Sequence, residues 1–132
     1  MEKLDINPSI TTPLISFDPF KMDFTIKGEC RPENVLTFFN PILDWVNDFK
    51  AWVKESQNSS KDLIFNFELE YYNSSSAKFI FNLLKRLRAL DVFGVNLKVN
   101  FYYDILDDDL LENGKEFEKI LNAKFTFIAV ED

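Results

Sequence analysis

Two stretches of this chain alternate strictly between two side-chain faces, and the segment between them has a helical period. Few folds satisfy both. In residues 63–71, Leu63, Phe65, Phe67, Leu69 and Tyr71 fall on one side and Ile64, Asn66, Glu68 and Glu70 on the other. Residues 95–103 repeat the pattern, with Val95, Leu97, Val99 and Phe101 opposed to Asn96, Lys98, Asn100 and Tyr102. A period of two marks a strand with one dry and one wet face. Between them Ile80, Leu83, Leu84, Leu87 and Leu90 recur at three- and four-residue steps, beginning after three serines and ending near Phe93-Gly94, where glycine suits a helix C-terminus. Strand, helix and strand in this order predict a right-handed parallel crossover.

The remaining segments extend this unit. Residues 14–17 and 22–27 read as a hairpin around the turn-like Asp18-Pro19-Phe20-Lys21. Pro32-Glu33-Asn34 opens a helix whose stripe is Leu36, Phe39, Leu43, Val46 and Phe49. Pro41 lies inside it and cannot donate to the Thr37 carbonyl, so a kink or break is expected near Asn40. The polar residues 54–61 read as a loop, residues 107–122 as a third helix and residues 125–130 as a last strand. Parallel strands covered on both faces are apolar throughout, and these are not. The expected fold is therefore a two-layer α/β sandwich, a mixed sheet of about five strands with helices mainly on one face, in the order ββαβαβαβ. One domain over residues 1–132 is the expectation for this length.

Composition narrows the function classes. Hydrophobic residues make up 46% of the chain, with only 3 Gly and 5 Pro, which is the content of a packed domain. The 15 Phe are expected to fill a bulky core, with some left over for a partner surface. Twenty-two acidic against 15 basic residues give a net charge of −7, which repels nucleic-acid phosphates and anionic headgroups, so neither is an expected partner. Met1-Glu2-Lys3-Leu4-Asp5 has no basic-then-apolar character and no later run is long enough to span a bilayer, so a cytoplasmic protein is expected. Cys30 is the single cysteine and reads as a buried, inert thiol. Asn58-Ser59-Ser60 and Asn73-Ser74-Ser75 are then sequons by accident. There is no histidine, which removes the triad base, the usual neutral-pH acid–base group and the commonest zinc ligand.

The segment Tyr71-Tyr72-Asn73-Ser74-Ser75-Ser76-Ala77-Lys78 joins the clearest strand to the best-patterned helix. Asn73 or Ser74 can cap that helix by accepting from a first-turn amide, worth about 1 kcal/mol. The same amides and the positive end of the helix dipole suit a phosphoryl group, and Lys78 is one turn beyond Ser74. A capping hydroxyl at an exposed corner is also open to a kinase. The corner lacks the glycines and Gly-Lys-Ser/Thr ending of a phosphate-cradling loop. Ser75-Ser76-Ala77-Lys78 does spell Ser-x-x-Lys, but its companion Ser-Asp-Asn and Lys-Thr-Gly motifs are missing. Asp104, Asp107, Asp108, Asp109 and Glu112 have no calcium-loop spacing and read as capping and dipole complementarity, so no metal or other cofactor is expected. Glu68 and Glu70 are the remaining pair for acid–base catalysis, yet their spacing places both on the wet sheet face as solvated groups, and no enzyme is expected. Phe81 falls off the helical stripe, either packed on another element or open to a partner.

Thr11-Thr12-Pro13, Pro32-Glu33-Asn34, Pro41-Ile42-Leu43-Asp44-Trp45, the corner from Tyr72 to Lys78, and Tyr102-Tyr103-Asp104 together resemble the SiaC-type regulatory phosphoproteins, a family related in fold to the STAS anti-sigma-factor antagonists. The resemblance runs nearly end to end. The family's corner reads Asn-Thr/Ser-Ser-Ser and is phosphorylated on the hydroxyl directly after Asn, which maps onto Ser74 ahead of its neighbours Ser75 and Ser76. Serine stands here where threonine is common. The resemblance implies a partner-switching cycle: a dedicated protein kinase modifies the corner, a metal-dependent PP2C-type phosphatase reverses it, and the unmodified form binds a target. In the best-known examples that target is a diguanylate cyclase, which is activated. The docking surface would then include Tyr72, Asn73, Ser74, Ser75, Lys78 and Phe81. The alternative within this reading is an anti-sigma-factor antagonist or another STAS-like interaction module using the same corner.

Overall fold

A computed structural model of the chain describes residues 1–56 and 61–131. Among the described residues the elements run β1 (Leu4–Ile6), β2 (Leu14–Asp18), β3 (Asp23–Cys30), α1 (Val35–Ser56), β4 (Lys61–Tyr72), α2 (Ser74–Arg88), β5 (Val95–Asp104), α3 (Asp108–Leu121) and β6 (Lys124–Val130). A short 3-10 turn, Ala89–Phe93, follows α2, and Gly94 closes it at φ 85°, where a glycine avoids the Cβ penalty. The six strands form one sheet whose spatial order is their chain order, β1 to β6. β1, β2 and β3 pair antiparallel, and β3 through β6 pair parallel.

The sheet has six strands, one more than expected, because Leu4-Asp5-Ile6 is too short to show a period. Pairing supplies what periodicity does not: Leu4 lies opposite Phe17 and Ile6 opposite Ile15. The Trp45 indole N–H, in α1, donates to the Glu2 carbonyl at 2.8 Å and ties this segment to the first helix.

One sheet face is dry. Ile15, Phe17, Phe24, Ile26, Leu63, Phe65, Phe67, Leu69, Val95, Leu97, Val99 and Phe101 are all buried against Phe39, Ile42, Val46 and Phe49 of α1 and Ile80, Leu83, Leu84 and Leu87 of α2. Eight of the 15 Phe are buried and only Phe20 is largely exposed, so the phenylalanines serve almost entirely as filling between the layers. The opposite face carries Asn66, which donates to Asp23 Oδ1 at 2.7 Å and accepts from Asn100 at 3.1 Å, and the Lys98–Asp62 ion pair at 2.8 Å. Polar side chains there bond across strands because no helix covers them.

α1 departs from expectation in three ways. It runs unbroken through Pro41. A helical proline costs about 3 kcal/mol, but Thr37 and Pro41 are both exposed, so water can reach the carbonyl left without a donor, while Ile42, Leu43, Val46, Phe49 and Val53 hold the following turns in the core. Leu36 is 54% exposed and lies outside the buried stripe, which starts at Phe39. Lys54, Glu55 and Ser56 continue the helix instead of opening a loop, with the Ser56 hydroxyl donating to the Val53 carbonyl at 2.9 Å. At the other end of that expected loop Lys61 already belongs to β4, and residues 57–60, with the Asn58 sequon, lie outside the described residues. Among the described residues no helix is long and apolar enough to cross a membrane.

Candidate functional site

Because β3, β4, β5 and β6 run parallel, their C-terminal ends share one edge of the sheet, and the helices α2 and α3 start there. The segments singled out in the sequence gather at this edge. The Arg31 amide donates to the Thr11 carbonyl at 2.8 Å, bringing the Thr11-Thr12-Pro13 segment to the end of β3. The Asn73 amide donates to the Cys30 carbonyl at 3.1 Å, locking the end of β4 beside it. Asn34 begins α1 by accepting from the Thr37 amide at 3.1 Å.

A register shift shapes the corner. Gly28 lies opposite Leu69 but Glu29 lies opposite Tyr71, so Glu70 is an extra residue in the β3–β4 ladder. Such a bulge reverses the facing of the residues beyond it. Tyr71, expected on the dry face with Leu69, is 50% exposed. Tyr72 turns inward instead, its ring edge-on to Phe67 at 5.9 Å and near-parallel to Phe117 of α3 at 6.3 Å. Burial pushes the Tyr72 phenol's pKa up; Asn113 draws it partway back, and the charge of Asp107 adds to the rise.

Asn73, with φ −80° and ψ 169°, is the N-cap of α2. Its Oδ1 accepts the Ser76 amide at 2.9 Å and the Ser75 hydroxyl at 3.2 Å, and its carbonyl accepts the Ala77 amide at 3.0 Å. The helical turn then sends the three serines in different directions. Ser76 is fully buried, beside the Cys30 thiol. Ser75 is exposed but bonded to the cap. Ser74 is exposed, and its hydroxyl makes no hydrogen bond among the described residues. Lys78 is exposed and in no ion pair among the described residues. The first turn of α2 carries no acidic side chain, and Lys85, Arg86 and Arg88 occupy its last turn, so the positive end of the dipole at Ser74 is left unneutralised.

Phe81 is half-buried and packs on Phe117 at 5.9 Å, which ties α2 to α3 behind the corner. Cys30 is fully buried and burial pushes its thiol pKa up, with the Ser76 hydroxyl drawing it partly down, the condition of an unreactive thiol. Asp107 caps α3 by accepting the Leu110 amide at 3.0 Å, with Asp108 and Asp109 in the first turn, so this acidic run is placed along a helix start. Glu68 and Glu70 line an open groove of about 680 Å³ at the C-terminal edge of β4 and β5, together with Leu69, Tyr102, Asp104, and Asp107 and Leu110 at the start of α3.

Sequence reasoning read Cys30 as a buried thiol, as it is, but did not place it behind the corner, and it missed Asn113 and Phe117 there, which reach the corner from α3. No local signal marks them, because each arrives through pairing or packing across the fold.

The SiaC family regulatory phosphoprotein model matches residues 6–130. The chain belongs to the SiaC family. This SiaC-family chain is 26% identical over 132 residues, the whole of both chains, to Uncharacterized protein PA14_02130 of Pseudomonas aeruginosa (strain UCBPP-PA14). It resembles the crystal structure of apo-SiaC from Pseudomonas aeruginosa with a TM-score of 0.82 and 26% identity, covering 98% of this chain and 100% of that one. It resembles equally, at TM-score 0.82 and 26% identity over 96% and 99% of the two chains, a chain in the crystal structure of the diguanylate cyclase SiaD in complex with its activator SiaC from the same organism. As a family member the chain is a regulator, and nearly the whole length of its fold is shared with those solved structures.

Proposed function

We propose that this SiaC-family chain is a cytoplasmic partner-switching protein, without catalytic activity of its own, whose switch is the Ser74 hydroxyl. A protein kinase modifies Ser74, a PP2C-type phosphatase restores it, and the unmodified form binds and activates a signalling partner such as a diguanylate cyclase. The observation that carries this reading is the separation of the three serines. Of the three serines, only Ser74 is both exposed and without a hydrogen bond among the described residues, whereas Ser75 is held by Asn73 and Ser76 is buried. The related SiaC that activates a diguanylate cyclase supports the choice of partner class.

The mechanism follows from local electrostatics. A phosphoserine carries a charge of about −1.5 to −2. At Ser74 it meets the unneutralised end of the α2 dipole, and Lys78 stands about one turn on. The modified state is thus stabilised within the free protein. A partner seated over Tyr72, Asn73, Ser74, Ser75, Lys78 and Phe81 would have to desolvate that charge, so phosphorylation releases it.

The test is incubation with the kinase from the source cell, followed by intact-mass and peptide mass spectrometry. One phosphate on Ser74 is expected, absent from Ser74→Ala. Capture of the cyclase by wild type and Ser74→Ala but not by Ser74→Glu is the matching binding result. Modification that persists unchanged in Ser74→Ala would sink the assignment.

A further inference from the structure

The groove at the C-terminal edge of β4 and β5 carries charge almost entirely of one sign. Glu68, Glu70, Asp104 and Asp107 line it against a single cation, Lys27, which lies directly opposite Glu68 in the β3–β4 register. None of the four carboxylates is in an ion pair among the described residues. Nor are they gathered as metal ligands are: among the described residues no group of three acidic side chains is placed to hold an ion. Negative charge spread along an open groove suits several cations on one segment, and it repels nucleic acids and anionic membranes.

Beside these charges lies apolar surface that the core does not use. Leu106, which lines the groove, is 89% exposed, the most of any large apolar side chain among the described residues. Its place is fixed by a bonded turn, in which Asp104 Oδ1 accepts the Leu106 amide at 2.8 Å and the Asp104 carbonyl accepts the Asp107 amide at 2.8 Å. The Ile105 amide donates to the Val130 carbonyl at 3.0 Å, so two more exposed apolar residues stand together there. Apolar surface presented in this way is buried only when another molecule covers it. We propose that the groove is a docking surface for a basic amphipathic segment of a partner protein, whose apolar side covers Leu106, Ile105 and Val130 and whose cations meet Glu68, Glu70, Asp104 and Asp107. This rests on the reading of the chain as a partner-binding regulator and adds a contact outside the surface around Ser74. The two adjoin, since the charge of Asp107 is felt at the Tyr72 phenol.

Fluorescence anisotropy of a labelled helix-forming peptide of leucine and lysine, titrated with the full chain, tests this, with the same peptide carrying glutamate for lysine as the control. Wild type is expected to bind the lysine peptide and not the glutamate one, and to bind it more weakly as salt rises. Leu106→Ser is expected to weaken binding roughly tenfold, and the double variant Glu68→Gln/Glu70→Gln roughly tenfold at low salt. Val92→Ser, which removes an exposed valine on the turn after α2, leaves it unchanged. Ser74→Glu retains the peptide, because a carboxylate does not repel cations, so failure of the Ser74 switch and failure of the groove read out separately. Far-UV circular dichroism serves as the control that each variant keeps the fold. A wild type that does not bind the lysine peptide at ~100 μM, that binds the glutamate peptide as well, or whose binding either groove variant leaves unchanged, overturns the proposal.

Discussion

The Asn73 side-chain oxygen accepts the backbone N–H of Ser76 at 2.9 Å, so the residue that directly follows β4 is the one that starts α2. One side chain thus sets both the orientation of the strand-to-helix corner and the outward aim of Ser74. Asn73→Ala should lower stability by about 1 kcal/mol, within a range of roughly 0.5–2, and Asn73→Asp should recover most of it. Urea denaturation of the three proteins measures this, and an alanine variant as stable as wild type would mean that the cap carries no weight.

Gly114 of α3 is held against aromatic rings. A Cβ at this position would come within 2.7 Å of the Phe101 ring and 2.9 Å of the Phe127 ring. Alanine is favoured over glycine in a helix by about 1 kcal/mol, yet overpacking a filled core costs typically ~1–3 kcal/mol, and Phe101 is fully buried with no room to retreat. Gly114→Ala is therefore expected to destabilise the protein. A raised thermal midpoint would show that α3 can lift off the sheet at little cost.

Asp18 closes the turn between β2 and β3. Burial alone would raise its pKa, but the Lys21 amide, the Lys3 ammonium and the Phe20 amide outweigh it and hold the carboxyl below its ordinary value of 3.8. The folded pKa is depressed, so the stabilisation is complete above that ordinary value and is lost as pH falls through the folded one. Acid unfolding of wild type and Asp18→Asn should converge below pH 3.8, with wild type the more stable above it. Curves that stay parallel through this window would remove Asp18 from the account.

The Tyr72 hydroxyl is buried and has no hydrogen-bond partner of good geometry among the described residues, although Asn113 stands nearby. An unpaired buried hydroxyl costs free energy. Tyr72→Phe is expected to leave stability unchanged or raise it by up to about 1 kcal/mol. A loss larger than this in thermal denaturation would reveal a bond from that hydroxyl in solution.

What the sequence made legible came from one-sided burial. β4 and β5 alternate because helices cover only one face, and the α2 stripe from Ile80 to Leu87 is continuous for the same reason. What it hid depends on partners. The turn of Tyr72 inward and Tyr71 outward comes from Glu70 having no counterpart on β3, a property of two strands and not of one. β1 exists because Phe17 and Ile15 receive it. Pro41 looked like an interruption because its sequence position was visible and its exposure was not. At the corner, the residue pattern by itself does not tell the three serines apart, and the helical turn separates one hydroxyl without a hydrogen bond among the described residues from one bonded and one buried.

The sheet's spatial order has a further consequence for how the protein comes into being. Since every strand pairs with the one made just before it, a chain emerging from the ribosome always has its next partner already in place. No early strand waits beside an empty slot for one synthesised much later. The edge that is left advances with synthesis, resting on β5 until the last seven-residue strand, β6, is released and takes its place.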